Sequence, residues 1–394
     1  MHPLDRPPAA EVIPLAAVPL LDLQRQYAQI KPQVIDALER VCASQHFILG
    51  AEVEALEQEI AAYTGATAAV ACASGTDALW LALVAAGVKP GDSVVTTPFS
   101  FFASASAIVR AGATPVFADV SPATLNLDPR QVANLLRSHH LGNVRALLPV
   151  HLFGQCADMT SFRDLAAEFG IPLIEDAAQA IGATWNQQGA GSIGAAAAFS
   201  FYPTKNLSAY GDAGLVTTKH PELAEHMCRL RNHGSPKRYL HDEMGANSRM
   251  DALQAAVLRI KLPLLDLWNH SRQQIAARYA QLLTEVGLLS AQQPSPLSLL
   301  ATLPEAGHIF HQFVIRAERR DALRTFLTER RIGTEIYYPL PLHLQPCFAY
   351  LGYANGAFPE AERAAGDVLA LPIFPELTED EQKWVVHNIA EFYS

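Results

Sequence analysis

Residues 195–214 read AAAAFSFYPTKNLSAYGDAG, and this stretch decides the fold class. An uncharged apolar run ends at Pro203, Thr204 and Lys205, and a glycine-containing turn follows. Comparable short apolar runs lie upstream, at residues 67–74, 93–98, 113–120, 144–154 and 170–178. Helical patterns such as SFRDLAAEFG (161–170) separate many of them. Strands that are apolar throughout are typical of a mostly parallel sheet with helices on both faces, so we predict an α/β three-layer sandwich.

The chain divides into three predicted parts. Residues 1–19 are rich in proline and alanine and are predicted to be a flexible lead-in. Residues 20–265 hold the predicted sheet. A long helical pattern close to position 265 leads into residues 266–394, which we predict to be a smaller α+β domain. The last helix of that domain opens with Thr378 and Glu381, which have the spacing of a capping box.

Two short helices are predicted before the first strand. Apolar residues recur at spacings of three and four from Val34 to Val41 and from Val53 to Ala62. Between them, residues 46–50 (HFILG) have the composition of a turn that ends in glycine.

Composition argues against several functional classes. The chain has 29 basic and 39 acidic side chains, a formal charge of -10, so binding to nucleic acid is not expected. The five cysteines are scattered without the spacing of metal ligands, which predicts no metal site and a reducing compartment. No apolar stretch approaches the roughly 18 residues of a membrane helix. The N-terminus also lacks the features of a signal peptide, so we expect a cytoplasmic protein without membrane contact.

A first candidate site lies at Ser74-Gly75-Thr76-Asp77, after a predicted strand and at the start of a predicted helix. Unpaired N–H groups at a helix start, together with hydroxyls and a glycine, are suited to bind a phosphate. The alternative is that these residues only cap the helix, since serine and threonine are ordinary N-caps.

A second candidate is Asp176, which ends the apolar segment 171–176 and is predicted to lie at the buried end of a strand. A buried carboxylate needs a partner because an isolated charge is costly. The protonated ring nitrogen of a cofactor, a neighbouring arginine or backbone amides could each supply one. Gln179 follows three residues later and could reach the same ligand.

A third candidate is Lys205, with Ser200 five residues before it as a further phosphate contact. A lysine at the edge of a dry cleft loses its proton more easily and can form a Schiff base. A solvated loop lysine is the alternative, although the ten residues before Lys205 carry no charge. An anion site, a carboxylate for a ring nitrogen and a lysine amine are together the groups that pyridoxal 5'-phosphate requires.

The chain also resembles the DegT/DnrJ/EryC1/StrS family of sugar aminotransferases from about Leu20 to its C-terminus. The resemblance rests on nine motifs in order: ILGAEVEALE (48–57), SGTDALWLAL (74–83), PVHLFGQ (149–155), IEDAAQAIGA (174–183), SFYPTKNL (200–207), YGDAG (210–214), LRNHG (230–234), NSRMDALQAA (247–256) and YYPLPLHLQP (337–346). It implies an aspartate-aminotransferase-like fold, pyridoxal-phosphate fold type I.

The resemblance implies a role for each cofactor contact. The implied contacts are Lys205 at the aldehyde, Asp176 at the ring nitrogen, Gln179 at the ring hydroxyl, Phe101 on the ring face, and Gly75, Thr76 and Ser200 at the phosphate. In the family an asparagine is lent to the partner subunit's phosphate, and it corresponds to Asn247 here. A homodimer with shared active sites is therefore implied.

The resemblance further implies transamination of a nucleotide-linked keto sugar, with a dTDP- or UDP-linked 3-keto sugar favoured by the versions of LRNHG, GANSRMD and YYPLPLHLQP found here. Glutamate is the usual donor in the family, and the aminated product serves amino sugar and polysaccharide biosynthesis. The candidate substrate contacts are Arg249, Tyr337, Tyr338 and His343. A salt bridge at the subunit interface is an equal alternative for Arg249, and packing is an alternative for His343. In the family a histidine is common at the position of Tyr337, and this difference leaves the identity of the sugar open.

Three other functions remain open at this point. Relatives with histidine at the position of Lys205 are sugar dehydratases, so the lysine favours transamination. Some members of the family were first regarded as regulatory proteins, but nothing in this sequence resembles a DNA-binding helix pair. An inactive subunit is disfavoured by the intact set of cofactor residues.

Overall fold

The computed structural model describes residues 15–138, 142–290 and 294–394. These ranges contain twelve α-helices: α1 (Leu23–Ser44), α2 (Ala51–Thr64), α3 (Gly75–Ala85), α4 (Ala103–Arg110), α5 (Pro129–Arg137), α6 (Met159–Phe169), α7 (Pro221–Leu230), α8 (Ala252–Lys261), α9 (Leu265–Glu285), α10 (Arg320–Glu329), α11 (Pro359–Asp367) and α12 (Glu379–Tyr393). Among the helices of the described ranges, none has the length and apolar character needed to cross a bilayer.

The same ranges contain thirteen strands: β1 (Ala68–Cys72), β2 (Ser93–Thr96), β3 (Thr114–Phe117), β4 (Val144–Leu148), β5 (Ile174–Asp176), β6 (Thr184–Trp185), β7 (Gln188–Gly189), β8 (Ala196–Ser200), β9 (Gly214–Thr218), β10 (Leu297–Leu299), β11 (Ala306–Gly307), β12 (Phe313–Ala317) and β13 (Val368–Leu371). Seven of them form the main sheet. Two smaller three-stranded groups are β11-β6-β7 and β10-β12-β13.

The main sheet has the strand order β3-β2-β4-β5-β8-β9-β1. Strand β2 pairs in parallel with β3 and β4, and β5 pairs in parallel with β8. Parallel bridges from Leu147 to Leu173 and from Val150 to Asp176 join β4 to β5. Strand β9 is antiparallel to both β8 and β1, so it alone runs against the other six. The prediction of a mostly parallel sheet is confirmed.

Both faces of this sheet are buried. In β8, Ala197 and Phe199 contribute to one hydrophobic core, whereas Ala196 and Ala198 contribute to a second core on the opposite face. Helices α2, α5, α6 and α8 pack in the first core, and α3, α4 and α7 in the second. Because neither face meets water, the strands need no alternation of polar and apolar residues. The predicted three-layer sandwich is therefore confirmed.

Helix α1 is much longer than the helix predicted over residues 34–41. It begins after Asp22, whose carboxylate accepts hydrogen bonds from the N–H groups of Gln24 and Arg25. Its buried face starts at Gln26, continues through Ile30 and only then reaches the predicted segment. The first buried position is polar and Pro32 interrupts the pattern, so the apolar periodicity misses the first half of the helix.

Helix α9 begins at Leu265, close to the predicted domain boundary. Its Tyr279 and Leu283 pack in one hydrophobic cluster with β12, β13 and α12, and the same cluster includes Phe117 and Val150 of the predicted large domain. The domain boundaries therefore stay a prediction. Of the predicted lead-in, residues 1–14 lie outside the described residues. At its end Val18 is fully buried and pairs in parallel with Ile332.

The predicted capping box of α12 is confirmed. The hydroxyl of Thr378 accepts a hydrogen bond from the N–H of Glu381 at 3.2 Å. In return, the N–H of Thr378 donates to Oε2 of Glu381 at 2.8 Å. The N–H groups of Thr378 and Glu381 therefore both have a side-chain acceptor.

Candidate active site

A cavity of about 570 Å³ lies at the carboxyl ends of β5 and β8 and is closed on one side by the C-terminal part. This is the edge where ligands gather in open α/β sheets. Nine of the predicted site residues line it: Gly75, Thr76, Phe101, Asp176, Gln179, Ser200, Lys205, Tyr337 and Tyr338. Segments that are far apart in the sequence therefore meet around one space large enough for a cofactor and part of a substrate.

Lys205 lies in the turn that follows β8. Its backbone N–H donates to the carbonyl of Tyr202 at 2.8 Å, which bends the chain back toward the sheet. Burial lowers the pKa of the Lys205 ammonium to about 8, and the nearby carboxylate of Asp176 partly opposes that effect. A substantial fraction of the amine is then neutral near physiological pH. Lys205 therefore lines the cavity and is not the solvated loop lysine of the alternative interpretation, and its role as a nucleophile stays a prediction.

Asp176 is buried at the last position of β5. Its Oδ2 accepts a hydrogen bond from the hydroxyl of Ser104 at 2.6 Å, and its Oδ1 accepts one from the N–H of Ala178 at 3.2 Å. Burial raises the pKa of Asp176, while these two hydrogen bonds and the charge of Lys205 oppose the rise. No arginine pairs with this carboxylate within the described residues, so it has capacity left for a cationic ligand in the cavity.

Gln179 is held at both ends of its amide. Oε1 accepts a hydrogen bond from the N–H of Phe153 at 2.7 Å, and Nε2 donates to the phenol oxygen of Tyr338 at 3.1 Å. These bonds fix which end of the amide is the donor. The second N–H of Nε2 can donate to a ligand, and the contact with a cofactor hydroxyl stays a prediction.

The predicted phosphate site is built by close packing of the start of α3 against the end of β8. Ser74 is the N-cap, and its hydroxyl accepts from the N–H of Asp77 at 3.1 Å. A Cβ on Gly75 would lie 2.6 Å from the Cβ of Ser200, so only glycine allows this approach. The N–H groups of Gly75 and Thr76 have no intrahelical acceptor, and the Ser200 hydroxyl faces the same space. Capping by Ser74 therefore leaves these N–H groups free to bind an anion, and the phosphate contact stays a prediction.

Phe101 forms an aromatic wall of the cavity. Its side chain is 59% exposed, which is unusual for phenylalanine, and its ring centroid lies 6.4 Å from that of Tyr338. Tyr338 is fixed in turn by an edge-on contact with Phe99 at 6.0 Å. A flat ligand stacked on Phe101 would remove this apolar surface from water.

Asn247 and Arg249 do not line the cavity of their own chain. Asn247 is exposed, and its Oδ1 accepts a hydrogen bond from Nε of Arg249 at 3.0 Å. Nη1 of Arg249 donates to Oδ1 of Asn232 at 3.2 Å. Within its own chain the guanidinium thus contacts neutral amides, and the alternative of a salt bridge at the subunit interface stays open.

His343 also lies away from the cavity, contrary to its candidacy as a substrate contact. It is buried in the C-terminal part, with Nε2 3.0 Å from Oε1 of Glu362 and its ring 4.8 Å from that of Phe358. The aromatic contact and the buried bond to a carboxylate explain the residue as part of the packing. The packing alternative therefore accounts for His343.

His151 and Glu175 form a buried pair directly behind the cavity. The N–H of Ala157 donates to Nδ1 of His151, so the ring proton lies on Nε2, which donates to Glu175 at 3.0 Å. Burial alone would raise the pKa of Glu175, but hydrogen bonds from His151 and from the backbone of Gly191 and Gly194 hold it below its ordinary value. The backbone N–H of His151 also donates to the carbonyl of Asp176 at 2.9 Å. The pair therefore fixes the end of β5.

Two residues of the site were missed by the sequence analysis. Ser104 lies within FFASASAI, where several small residues look alike and the one that faces a distant carboxylate has no distinguishing signal. His311 lines the cavity and is buried. Its position in IFHQF, a polar pair within an apolar run, was a signal that could have identified it.

The donor set fits pyridoxal phosphate. An amine with a lowered pKa is available for an aldehyde, a buried carboxylate without a cationic partner suits a ring nitrogen, and free N–H groups suit a phosphate. In residues 15–138, 142–290 and 294–394 no group of three or more His, Cys, Asp or Glu side chains could hold a metal ion.

Comparison with known proteins gives one family and several close relatives. Residues 28–390 match the model of the DegT/DnrJ/EryC1/StrS aminotransferase family. The chain is 50% identical over 380 residues to a pleiotropic regulatory protein of Geobacillus stearothermophilus, covering 95% of this chain and 98% of the relative. It is 42% identical over 376 residues to the dTDP-3-amino-3,4,6-trideoxy-alpha-D-glucose transaminase of Streptomyces venezuelae, covering 95% and 96%.

Solved structures give the same result for the fold. The crystal structure of S. venezuelae DesV in complex with a ketimine intermediate superposes with a TM-score of 0.91 at 42% identity. The match covers 96% of this chain and 99% of that one. The predicted fold class is confirmed over nearly the whole chain.

Proposed function

The chain belongs to the DegT/DnrJ/EryC1/StrS aminotransferase family, and from this premise we propose that it transfers an amino group to a nucleotide-linked keto sugar. Its fold is pyridoxal-phosphate fold type I, and its cofactor is pyridoxal 5'-phosphate. The observation that carries the proposal is that the amine of Lys205 and the carboxylate of Asp176 face one cavity at the carboxyl ends of β5 and β8.

The residues around the cavity divide the work of holding this cofactor. Lys205 would hold the aldehyde, Asp176 the ring nitrogen and Gln179 the ring hydroxyl. Gly75, Thr76 and Ser200 would hold the phosphate, and Phe101 would cover a ring face. When bound, the cofactor supplies an electron sink for the carbon that loses or gains a proton.

Asp176 keeps a proton on the ring nitrogen, since a buried carboxylate next to a cationic ring stabilises the protonated form. Its hydrogen bonds from Ser104 and Ala178 favour the ionised carboxylate and fix its direction. With its amine free, Lys205 would take the proton from the donor carbon as a base and deliver it to the cofactor carbon as an acid. Its pKa near 8 suits both roles at neutral pH.

Two sets of residues support a large anionic substrate. Tyr337 and Tyr338 line the cavity and can contact the sugar. Arg249 has no carboxylate partner among the described residues of its own chain and suits a diphosphate or a sugar carboxylate. The S. venezuelae relative is named for a dTDP-linked 3-amino sugar, which supports a 3-keto sugar linked to dTDP or UDP. L-Glutamate is the proposed donor.

A homodimer with shared active sites is part of the proposal. Asn247 and Arg249 are matched by the family resemblance to substrate and cofactor contacts, yet both lie outside the cavity of their own chain. An exposed asparagine that is held in place by Arg249 is suited to reach the cavity of a second copy. We also place the enzyme in the cytoplasm, where its product would enter amino sugar and polysaccharide biosynthesis. The five free cysteines agree with a reducing compartment.

The replacement Lys205→Ala tests the proposed function. The purified wild type should be yellow when loaded with pyridoxal phosphate, and L-glutamate should bleach the visible band. Lys205→Ala should lose both the normal band and turnover, by several orders of magnitude, because no other lysine lines the cavity among the described residues. Lys219→Ala, at an exposed lysine, is the matched control and should behave as wild type.

The outcome also separates the proposed enzymatic function from a regulatory function. The name of the G. stearothermophilus relative suggests that alternative. A colourless protein that ignores added pyridoxal phosphate would contradict the enzymatic proposal. A band that persists with every amine donor would point to another reaction, such as the dehydration considered from the sequence. Full activity of Lys205→Ala would show that the nucleophile is misassigned.

A further inference from the structure

Arg272 is a buried guanidinium next to the active site that has no role in the proposed contacts with cofactor or sugar. It lies in the middle of α9 and is 3% exposed. Its Nη1 donates to the backbone carbonyls of Phe310, His311 and Ile373 at 3.1–3.2 Å. Its Nε has no hydrogen-bond partner within the described residues although it is buried. An unpaired donor on a buried cation is costly unless a ligand or water completes it.

Arg272 also lines a space of its own. A side pocket of about 100 Å³ lies against the active-site cavity, and Thr204, His311, Gln312 and Tyr337 line both. Leu20, Leu371 and other apolar side chains form much of its wall. Charges interact strongly in such a setting because little water screens them.

The charge of Arg272 has no partner in contact. Burial lowers the pKa of its guanidinium to about 10, so it is still a cation at neutral pH. The carboxylate of Glu376 acts on it from a distance, but no ion pair forms between the two among the described residues. Glu376 itself is partly buried, and burial raises its pKa.

The active-site cavity needs a cation that its own walls lack. Among the described residues that line the two spaces, Arg272 is the single arginine and Lys205 the single lysine. Lys205 is committed to the cofactor. His311 is neutral, because burial and then the charges of Lys205 and Arg272 lower its pKa far below the ordinary value. Every amino-acid donor, however, brings an α-carboxylate into the cavity.

We propose that the guanidinium of Arg272, through the side pocket, binds the α-carboxylate of the amino-acid donor. The inference rests on the proposed transaminase function and identifies the residue that selects an α-amino acid as donor. The pocket has room for a carboxylate and little more, which suits the end of the donor that carries the amine. The three carbonyls on Nη1 hold the planar group in place, and the charge of the guanidinium, which lines the pocket, attracts the carboxylate.

The test compares two amine donors in the first half of the reaction. L-Glutamate and 4-aminobutyrate carry the same amine and distal carboxylate, but only L-glutamate has the α-carboxylate. Bleaching of the visible band is followed in single turnovers at increasing donor concentration. The wild type should favour L-glutamate, and Arg272→Met should raise the apparent dissociation constant of L-glutamate by roughly 10- to 100-fold. The constant for 4-aminobutyrate should stay unchanged, and Arg272→Lys should be intermediate.

Controls separate donor binding from a loss of structure. Arg320→Met removes another buried arginine, which bonds the carbonyls of Ala365 and Val368 far from the cavity, and it should leave the ratio of the two donors unchanged. The half-reaction with the keto sugar should be unaffected in Arg272→Met. Equal weakening of both donors, or a wild type that does not favour L-glutamate, would overturn the inference. Absence of bleaching by every amine would instead overturn the proposed function.

Discussion

The hydroxyl of Ser104 donates to Asp176 at 2.6 Å, and the hydroxyl of Ser100 lies 2.9 Å from that of Ser104. All three side chains are buried. Burial raises the pKa of Asp176, and the Ser104 hydrogen bond is the largest of the effects that lower it. Ser104 is therefore a positioning residue that keeps the carboxylate ionised.

Replacing Ser104 with alanine should raise the pKa of Asp176 further, since the hydrogen bond to the charged form is lost. The ionised form then disappears at a higher pH, so the acid limb of the kcat profile should move upward by about one pH unit. Ser106→Ala, on the same helix and away from the cavity, is the matched control. An unchanged acid limb in Ser104→Ala would show that the serine only fills space.

At the scale of residues, the sequence was informative where a side chain departs from its surroundings. Lys205 follows ten uncharged residues, and Asp176 with Glu175 ends an apolar run, so these charged side chains stand out against the residues before them. Ser104 does not, because its role depends on a contact 72 residues away in the chain. The packing of His343 was equally hard to predict, because its buried partner Glu362 lies on α11, 19 residues away in the chain.

At the scale of elements, the start of α12 joins a local signal to a distant contact. Glu381 completes the capping box with Thr378 and also receives a two-pronged contact from Arg25 of α1, at 2.9 and 2.6 Å. The cap thus holds the carboxylate that ties the first helix to the last one.

The replacement Thr378→Ala should remove the cap and lower the free energy of unfolding by about 1 kcal/mol. In a chain of this size that corresponds to a fall in Tm of about 1–2 °C, which calorimetry can measure. Thr378→Ser retains the hydroxyl and should recover most of the loss. If serine and alanine behaved alike, the hydroxyl bond would not be the source of the stability.

Elements were predictable where one short-range rule decides them. The capping box and the six predicted apolar strands follow from residue spacing and apolar composition alone, and all seven of these features occur in the structure. The first half of α1 was missed because Gln26 lies on its buried face. The strand order could not be read from local patterns, since it depends on which strands meet after the chain has folded.

At the scale of the whole molecule, the proposed sharing of Asn247 between subunits has a distinctive consequence. A dimer of Lys205→Ala with Asn247→Asp would have one site with both residues intact and one with neither. Each variant alone should be nearly inactive. Lys205→Ala lacks the amine that holds the cofactor, and Asn247→Asp adds a carboxylate that repels the phosphate.

Mixed and re-associated in equal amounts, the two variants should recover about a quarter of wild-type turnover, since half of the dimers have one working site. Differently tagged subunits allow the mixed dimer to be isolated and its activity measured directly. If Asn247 acts within its own chain, no mixed dimer contains a complete site. Activity that never exceeds the sum of the two variants would therefore exclude the shared arrangement.

The burial of Val18 has a consequence for the order in which parts of the chain can pair. Its N–H donates to the carbonyl of Arg331, and its own carbonyl accepts a hydrogen bond from the N–H of Gly333. The segment before α1 is therefore hydrogen-bonded to the C-terminal part. The chain then returns at once, as α1 packs on α8. Removing either the segment around Val18 or the segment 331–333 would leave backbone hydrogen-bonding groups of the other segment unpaired. The pairing of Val18 can therefore form only after residues 331–333 have been synthesised.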